Sequence, residues 1–131
     1  GNGGIIYPEL HYGRDSLVGI ALFLSHLAHI DMTVSALKAS YPFYAMSKNK
    51  VALTQDLDVD GLMNTIAQTY QATESVNTVD GVKIDFEDSW VHLRKSNTEP
   101  IIRIYTEAKS QQNADDLALR FVNELKQLAG I

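Results

Sequence analysis

An α+β fold is what this sequence predicts: a mainly antiparallel sheet of four to five strands with two helices on one face, preceded by a shorter helical segment. Three observations predict it. Past Pro42 the apolar pattern runs strand, helix, several short strands, helix, and that segregation builds an antiparallel sheet with helices to one side. The strands are short and separated by turn residues, Asp80-Gly81 being a strong tight-turn signal. Both helices carry a single apolar stripe, so each has one face to bury.

Taken in order, Ile5-Ile6-Tyr7 reads as a short strand stopped by Pro8. Asp15 or Ser16 then caps a helix over residues 17–28. Its apolar residues sit on nearly every face, and a helix apolar all round expects to be buried. Thr33 caps a short helix over 34–39. A domain boundary falls near Pro42, and 43–53 is extended. Asp58 or Asp60 caps a helix to about Ala72, with Leu62, Met63, Ile66, Ala67 and Tyr70 inward. Residues 76–79 lead into Asp80-Gly81. Residues 82–86 alternate apolar and polar, as a half-buried strand does. Glu87-Asp88-Ser89 turns into 90–93, and 101–105 makes a further strand. Ser110 caps a last helix over 111–128, whose stripe is Ala114, Leu117, Ala118, Phe121, Leu125 and Leu128, with Gly130 at its end.

Composition narrows the function. The 131 residues are 45% hydrophobic and 21% charged, as in an ordinary globular protein, and they carry a net charge of −5. That balance argues against a nucleic-acid or anionic-membrane partner, both of which need clustered cations. It leaves room for a small anion held by a few placed donors. With no cysteine, disulfides, thiolate catalysis and Cys-type zinc sites are excluded, and a reducing, cytoplasmic setting fits. The apolar run from 17 to 27 is too short to span a bilayer. Gly1-Asn2-Gly3-Gly4 lacks a Met and reads as the middle of a loop, so the sequence is expected to belong to a longer protein.

The chemistry concentrates in Arg94-Lys95-Ser96-Asn97-Thr98-Glu99-Pro100-Ile101-Ile102-Arg103, between two strands. A phosphate dianion needs convergent donors. Arg94 and Arg103 offer planar forks, and Ser96, Asn97, Thr98 and the turn's N–H groups fill the remaining lone pairs. Across a connecting turn the two arginines can reach one anion. Glu99 cannot bind phosphate, and its role is to hold an arginine or the loop backbone. On spacing alone, a polar hairpin with surface Arg–Glu pairs explains the same residues.

This run, preceded by Asp80-Gly81-Val82 and Trp90, resembles the C-terminal domain of the phosphohexomutases. That superfamily includes phosphoglucomutase, phosphomannomutase and phosphoglucosamine mutase. The family loop is commonly R-P-S-G/N-T-E-P-x-x-R. Lys95 departs from it where proline is frequent, and Asn97 is an accepted variant. Gly1-Asn2-Gly3-Gly4 resembles the family's sugar-binding loop, G-E-x-S-G-H, with Asn2 at the serine position and Gly4 at the histidine position. Asn2 and Gly3 are thus the remains of a sugar site whose glutamate would precede residue 1.

The resemblance implies that residues 1–41 are the end of the sugar-binding third domain, a helical remnant of an α/β domain. It implies that 42–131 are the phosphate-binding fourth. The implied enzyme is an isomerase of phosphotransferase type. It moves a phosphoryl group between C1 and C6 of a hexose or hexosamine phosphate, through a phosphoserine and a bisphosphorylated sugar. The phosphoserine and the Mg²⁺-binding aspartates would lie in domains outside this sequence, so no catalytic residue and no metal ligand is expected here.

Other constellations have plainer readings. Asp56-x-Asp58-x-Asp60-Gly61 imitates an EF-hand start, but the twelfth place is Ala67 and a helix begins inside the loop. His26 and His29 have no evident third partner for a metal. His11 would line the sugar cleft, and His92, on a strand two residues before Arg94, could point towards the phosphate. Trp90 reads as sheet packing. Asp85, Glu87 and Asp88 read as a solvated hairpin. The unburied helix 17–28 predicts self-association. The rival readings are a stand-alone phosphate-binding module and an interaction domain without a ligand.

Overall fold

The computed structural model describes residues 4–54 and 57–131. The chain divides into two compact units, Gly1–Pro42 and Phe43–Ile131.

The smaller unit contains α1 (Ser16–Ile30) and α2 (Val34–Ser40). Asp15 caps α1 by accepting from the N–H groups of Leu17 and Val18, and Asp31 ends it in the left-handed region at φ 50°. Thr33 caps α2 by accepting from Ala36 N–H. The expected strand 5–7 does not form. Tyr7 makes only an isolated bridge to His11, because its carbonyl is taken by the N–H groups of Leu10 and His11 in the turn after Pro8. None of the residues of α1 is buried within this chain, in keeping with an apolar helix that finds little here to cover it. No single helix among the described residues is long and apolar enough to cross a membrane.

The larger unit is built from β1 (Ala45–Ala52), α3 (Val59–Tyr70), β2 (Ser75–Asn77), β3 (Val82–Asp85), β4 (Ser89–Lys95), β5 (Ile101–Ala108) and α4 (Gln111–Ala129). The five strands form one antiparallel sheet in the order β1-β5-β4-β3-β2. This is the α+β architecture that the sequence predicts. Asp58 caps α3 through Gly61 N–H, and Ser110 caps α4 through Asn113 N–H. The five stripe residues of α3, Leu62 to Tyr70, are all buried. They share one core with Phe121 and Leu125 of α4 and with Ile84, Val91, Leu93, Ile102 and Ile104 of the sheet. Tyr70, Phe86 and Phe121 meet within it, with ring centroids 5.4 to 6.3 Å apart.

Both helices therefore cover one face of the sheet, and the other face carries no element of this unit. Alternation along each strand sends Lys48, Lys50, His92, Arg94, Arg103 and Tyr105 to that open face. Several expectations shift: β4 and β5 run longer than 90–93 and 101–105, and α3 stops at Tyr70. The strand of 76–79 ends at Asn77, whose side-chain oxygen accepts from Val79 N–H and turns the chain away. Leu128 is 45% exposed, because the buried stripe of α4 advances by fours from Phe121 to Leu125 and on to the half-buried Ala129.

Candidate phosphate-binding loop

The loop grows out of the β4–β5 register. Arg94 stands directly opposite Arg103, and Lys95 opposite Ile102. Opposed residues in an antiparallel pair share a face, so both guanidinium groups rise from the open side of the sheet. Ser96 N–H donates to the Ile101 carbonyl (3.0 Å), Ile101 N–H to that of Glu99 (2.8 Å), and Leu53 N–H to that of Pro100 (2.8 Å). The loop is thus tied to itself and to the end of β1. Thr98 N–H lies 3.4 Å from Ser96 Oγ, which in turn lies 3.4 Å from Thr98 Oγ1. Arg94, Lys95, Ser96, Asn97, Thr98 and Arg103 together line a cavity of about 180 Å³. Glu99 does not line it. Its carboxylate lies 4.0 Å from Arg103 Nη2, beside the cavity rather than in it.

Two further carboxylates hold the cations of the loop. Arg94 Nε lies 3.2 Å from Asp80 Oδ1 in an ion pair, which leaves its terminal nitrogens for another acceptor. Lys95, on the helix-covered face, donates to both oxygens of Asp60 at 2.6 and 2.9 Å. Asp80 sits where it does because Gly81 adopts φ +78°, and a Cβ there would run into the carbonyl oxygen of Leu93. His92 Nε2 donates to the Asp80 carbonyl at 2.6 Å, fastening the same turn to β4. Asp80 and Asp60 are the neighbours that sequence reasoning missed. The usable signal for Asp80 was the β3–β4 register: with Val82 opposite Leu93, the residues just before Val82 must run alongside Arg94 and Lys95. A cavity of about 420 Å³ on this side is lined by Asp60, Asn64, Thr78 and Asp80, and it shares Arg94, Lys95 and Asn97 with the smaller one.

The remaining candidates find their places elsewhere. Asn2, Gly3 and Asp56 lie outside the described residues. Asp58 and Asp60 serve as helix cap and lysine partner. His11 Nδ1 accepts from Gly13 N–H (2.9 Å), so Nε2 carries the proton and donates to Asp15 (3.0 Å). His29 Nδ1 donates to the Ser25 carbonyl. Trp90 is half-buried, with Nε1 donating to Glu107 at 3.0 Å and Lys83 Nζ 5.5 Å from its ring. Asp85 and Asp88 pair with Lys83 and Lys109. Among the described residues, no three His, Asp or Glu side chains come together as a metal site would require.

Residues 48–124 match the family model described as phosphoglucomutase/phosphomannomutase, C-terminal domain. The phosphoglucosamine/phosphogalactosamine mutase of Sulfurisphaera tokodaii is 43% identical over 129 residues, which is 97% of this chain and 27% of that protein. A solved phosphoglucomutase/phosphomannomutase family protein from Burkholderia thailandensis superposes with a TM-score of 0.69 at 24% identity, covering 96% of this chain and 27% of that one. The N-acetylphosphoglucosamine mutase of Aspergillus fumigatus, solved with GlcNAc-6P and magnesium, does so with a TM-score of 0.55 at 23% identity, covering 88% of this chain and 22% of that one. These two likenesses establish the fold, and the chain spans about a quarter of the length of the curated relatives it matches. With well over half of its residues matching the family model, the chain belongs to the phosphoglucomutase/phosphomannomutase family and carries that family's C-terminal domain.

Proposed function

We propose that this chain is the phosphate-gripping end of a cytoplasmic hexose- or hexosamine-phosphate mutase. In the whole enzyme a phosphoserine would donate its phosphoryl group to the free sugar hydroxyl, giving a bisphosphorylated sugar. The serine oxygen would then take back the other phosphoryl group. Throughout, one phosphate of the sugar is not in transfer, and Arg94, Ser96, Asn97, Thr98 and Arg103 hold it while Glu99 steadies Arg103. The loop contributes no bond-making group. Binding energy at the remote phosphate positions the reacting oxygen and helps to exclude water. Phosphoserine and Mg²⁺ would be supplied by other domains of the whole enzyme. Residues 1–41 are read as the end of the preceding, sugar-binding domain. The name of the Sulfurisphaera tokodaii relative favours an amino-sugar phosphate as substrate.

The observation that carries this reading is the shared cavity: two guanidinium groups opposed in register, with the hydroxyls and amides of one short loop between them. Asp80 and Glu99 offset part of the cross-strand repulsion between the two arginines, and a dianion between them adds to that compensation. The test is titration of the chain with glucosamine 6-phosphate, followed at the amides of Asn97 and Thr98. Arg94→Ala and Arg103→Ala should each weaken binding by about 1.5–3 kcal/mol, roughly tenfold to a hundredfold. Affinities unchanged in both variants would overturn the assignment.

A further inference from the structure

The open face of the sheet carries more cations than the loop uses. Lys50 of β1 stands opposite Arg103 on the side away from Arg94, so three cations follow one another across β1, β5 and β4. Two residues back along β1, Lys48 stands opposite Tyr105, with its Nζ 5.7 Å from the ring centroid. Such a row works against the sheet, because directly opposed like charges repel. It also runs against the composition, which has 16 acidic residues to 11 basic ones. Lys83, Lys95 and Lys109 each sit on a carboxylate, whereas Lys48, Lys50 and, in α4, Lys126 enter no ion pair among the described residues. Beside the row lies a cavity of about 330 Å³, lined by Lys48, Lys50, Arg103, Tyr105, Ile101 and Glu99. It shares Arg103, and no other residue, with the loop cavity.

The geometry points to a second anion subsite on the open sheet face, in which Lys48, Lys50 and Arg103 take a phosphoryl group separate from the one in the loop. Its chemistry differs from that of the loop. Two lysine ammonium groups act as mobile point charges, where the loop offers two arginine forks and fixed hydroxyls. The second subsite therefore binds more weakly, is less selective in geometry and depends more steeply on salt. Sharing Arg103 makes it adjacent to the loop. The inference goes beyond the reading of the loop and does not require it.

The experiment is a titration of the chain with inorganic phosphate, set against chloride at equal ionic strength, with two groups of amides followed by NMR. Lys48, Lys50 and Tyr105 report on the sheet face; Asn97 and Thr98 report on the loop. The expected result is two binding constants, the weaker one on the sheet face, with no matching response to chloride. Lys48→Gln with Lys50→Gln, both at exposed positions, should weaken the sheet-face constant by roughly tenfold or more and move the loop constant far less. Ser96→Ala with Thr98→Ala should do the reverse. Sheet-face amides that follow chloride as they follow phosphate, or that keep the same constant in the lysine variant, would overturn the second subsite. A sheet-face response that persists while the loop amides ignore phosphate would support the second subsite and sink the loop reading alone.

Discussion

Helices α1 and α4 place their apolar residues in opposite ways. Helix α4 is mixed in composition, with Asp115, Asp116, Arg120 and Lys126 among its residues, yet Ala114, Ala118, Phe121 and Leu125 are fully buried. Helix α1 contains no Asp, Glu, Lys or Arg and is far more apolar, yet Leu17 is 76% exposed and Phe23 is 41% exposed. Burial follows from a stripe that meets a matching surface, and not from hydrophobicity summed along a helix. A sheet face lies under the stripe of α4. The described residues of the smaller unit form no sheet to lie under α1.

Deleting an aromatic ring from each helix puts the largest measurable effect on this comparison. Phe121→Ala removes a ring that touches Tyr70 and Phe86 and should cost about 3–5 kcal/mol. Phe23→Ala should stay within about 0.5 kcal/mol, the usual range for exposed positions. Thermal unfolding of both variants gives the answer, and equal losses would break the contrast. A smaller effect comes from the two units' use of the left-handed region. The larger unit puts Gly81 there, while the smaller one uses Asp31 at a helix end. Gly81→Ala adds a Cβ against the Leu93 carbonyl and should cost about 1–3 kcal/mol in the same assay.

The exposed face of α1 sharpens the comparison from the other side. An apolar patch of this kind draws a partner, and a second copy of the chain is always available. Sedimentation should show mass rising with concentration, and Ile20→Lys with Leu24→Lys should return the chain to a monomer. The thermal midpoint of the larger unit should not move in that variant. A concentration-independent monomer before any substitution would remove the prediction.

What could be read in the sequence divides along the same line between local and distant causes. The helix starts at Asp58 and Ser110 were legible because a cap is a local bond, from side-chain oxygen to a backbone N–H three residues on. The stripe of α3 was legible because its period repeats within one element. That Arg94 and Arg103 face each other across the hairpin also follows from local pairing through a short loop. The approach of Asp80 to Arg94 needed the β3–β4 register, which rests on how tightly residues 86–89 turn. Lys50 beside Arg103 was out of reach, because the chain returns to β1 only after four other elements. Ile5-Ile6-Tyr7 misled because its strand-like composition meets no strand to pair with.

The smallest effect is one of pH, and it separates the smaller unit from the larger. The Asp15 carboxyl is held below its ordinary range, chiefly by the N–H of Val18 and next by the hydrogen bond from His11. A lowered pKa in the folded state means that the unfolded chain binds the proton first as pH falls. The contribution of Asp15 to α1 is therefore fully present at neutral pH. It begins to decline at about pH 4, the ordinary carboxylate value, and is lost once pH passes below the lowered value of the folded state. The amides of Leu17 and Val18 should report this as an acid transition. Asp15→Asn keeps a cap that cannot titrate, so it should abolish the transition and leave the helix in place. If the transition survives in Asp15→Asn, the pH response belongs to another group and the capping carboxylate is not its source.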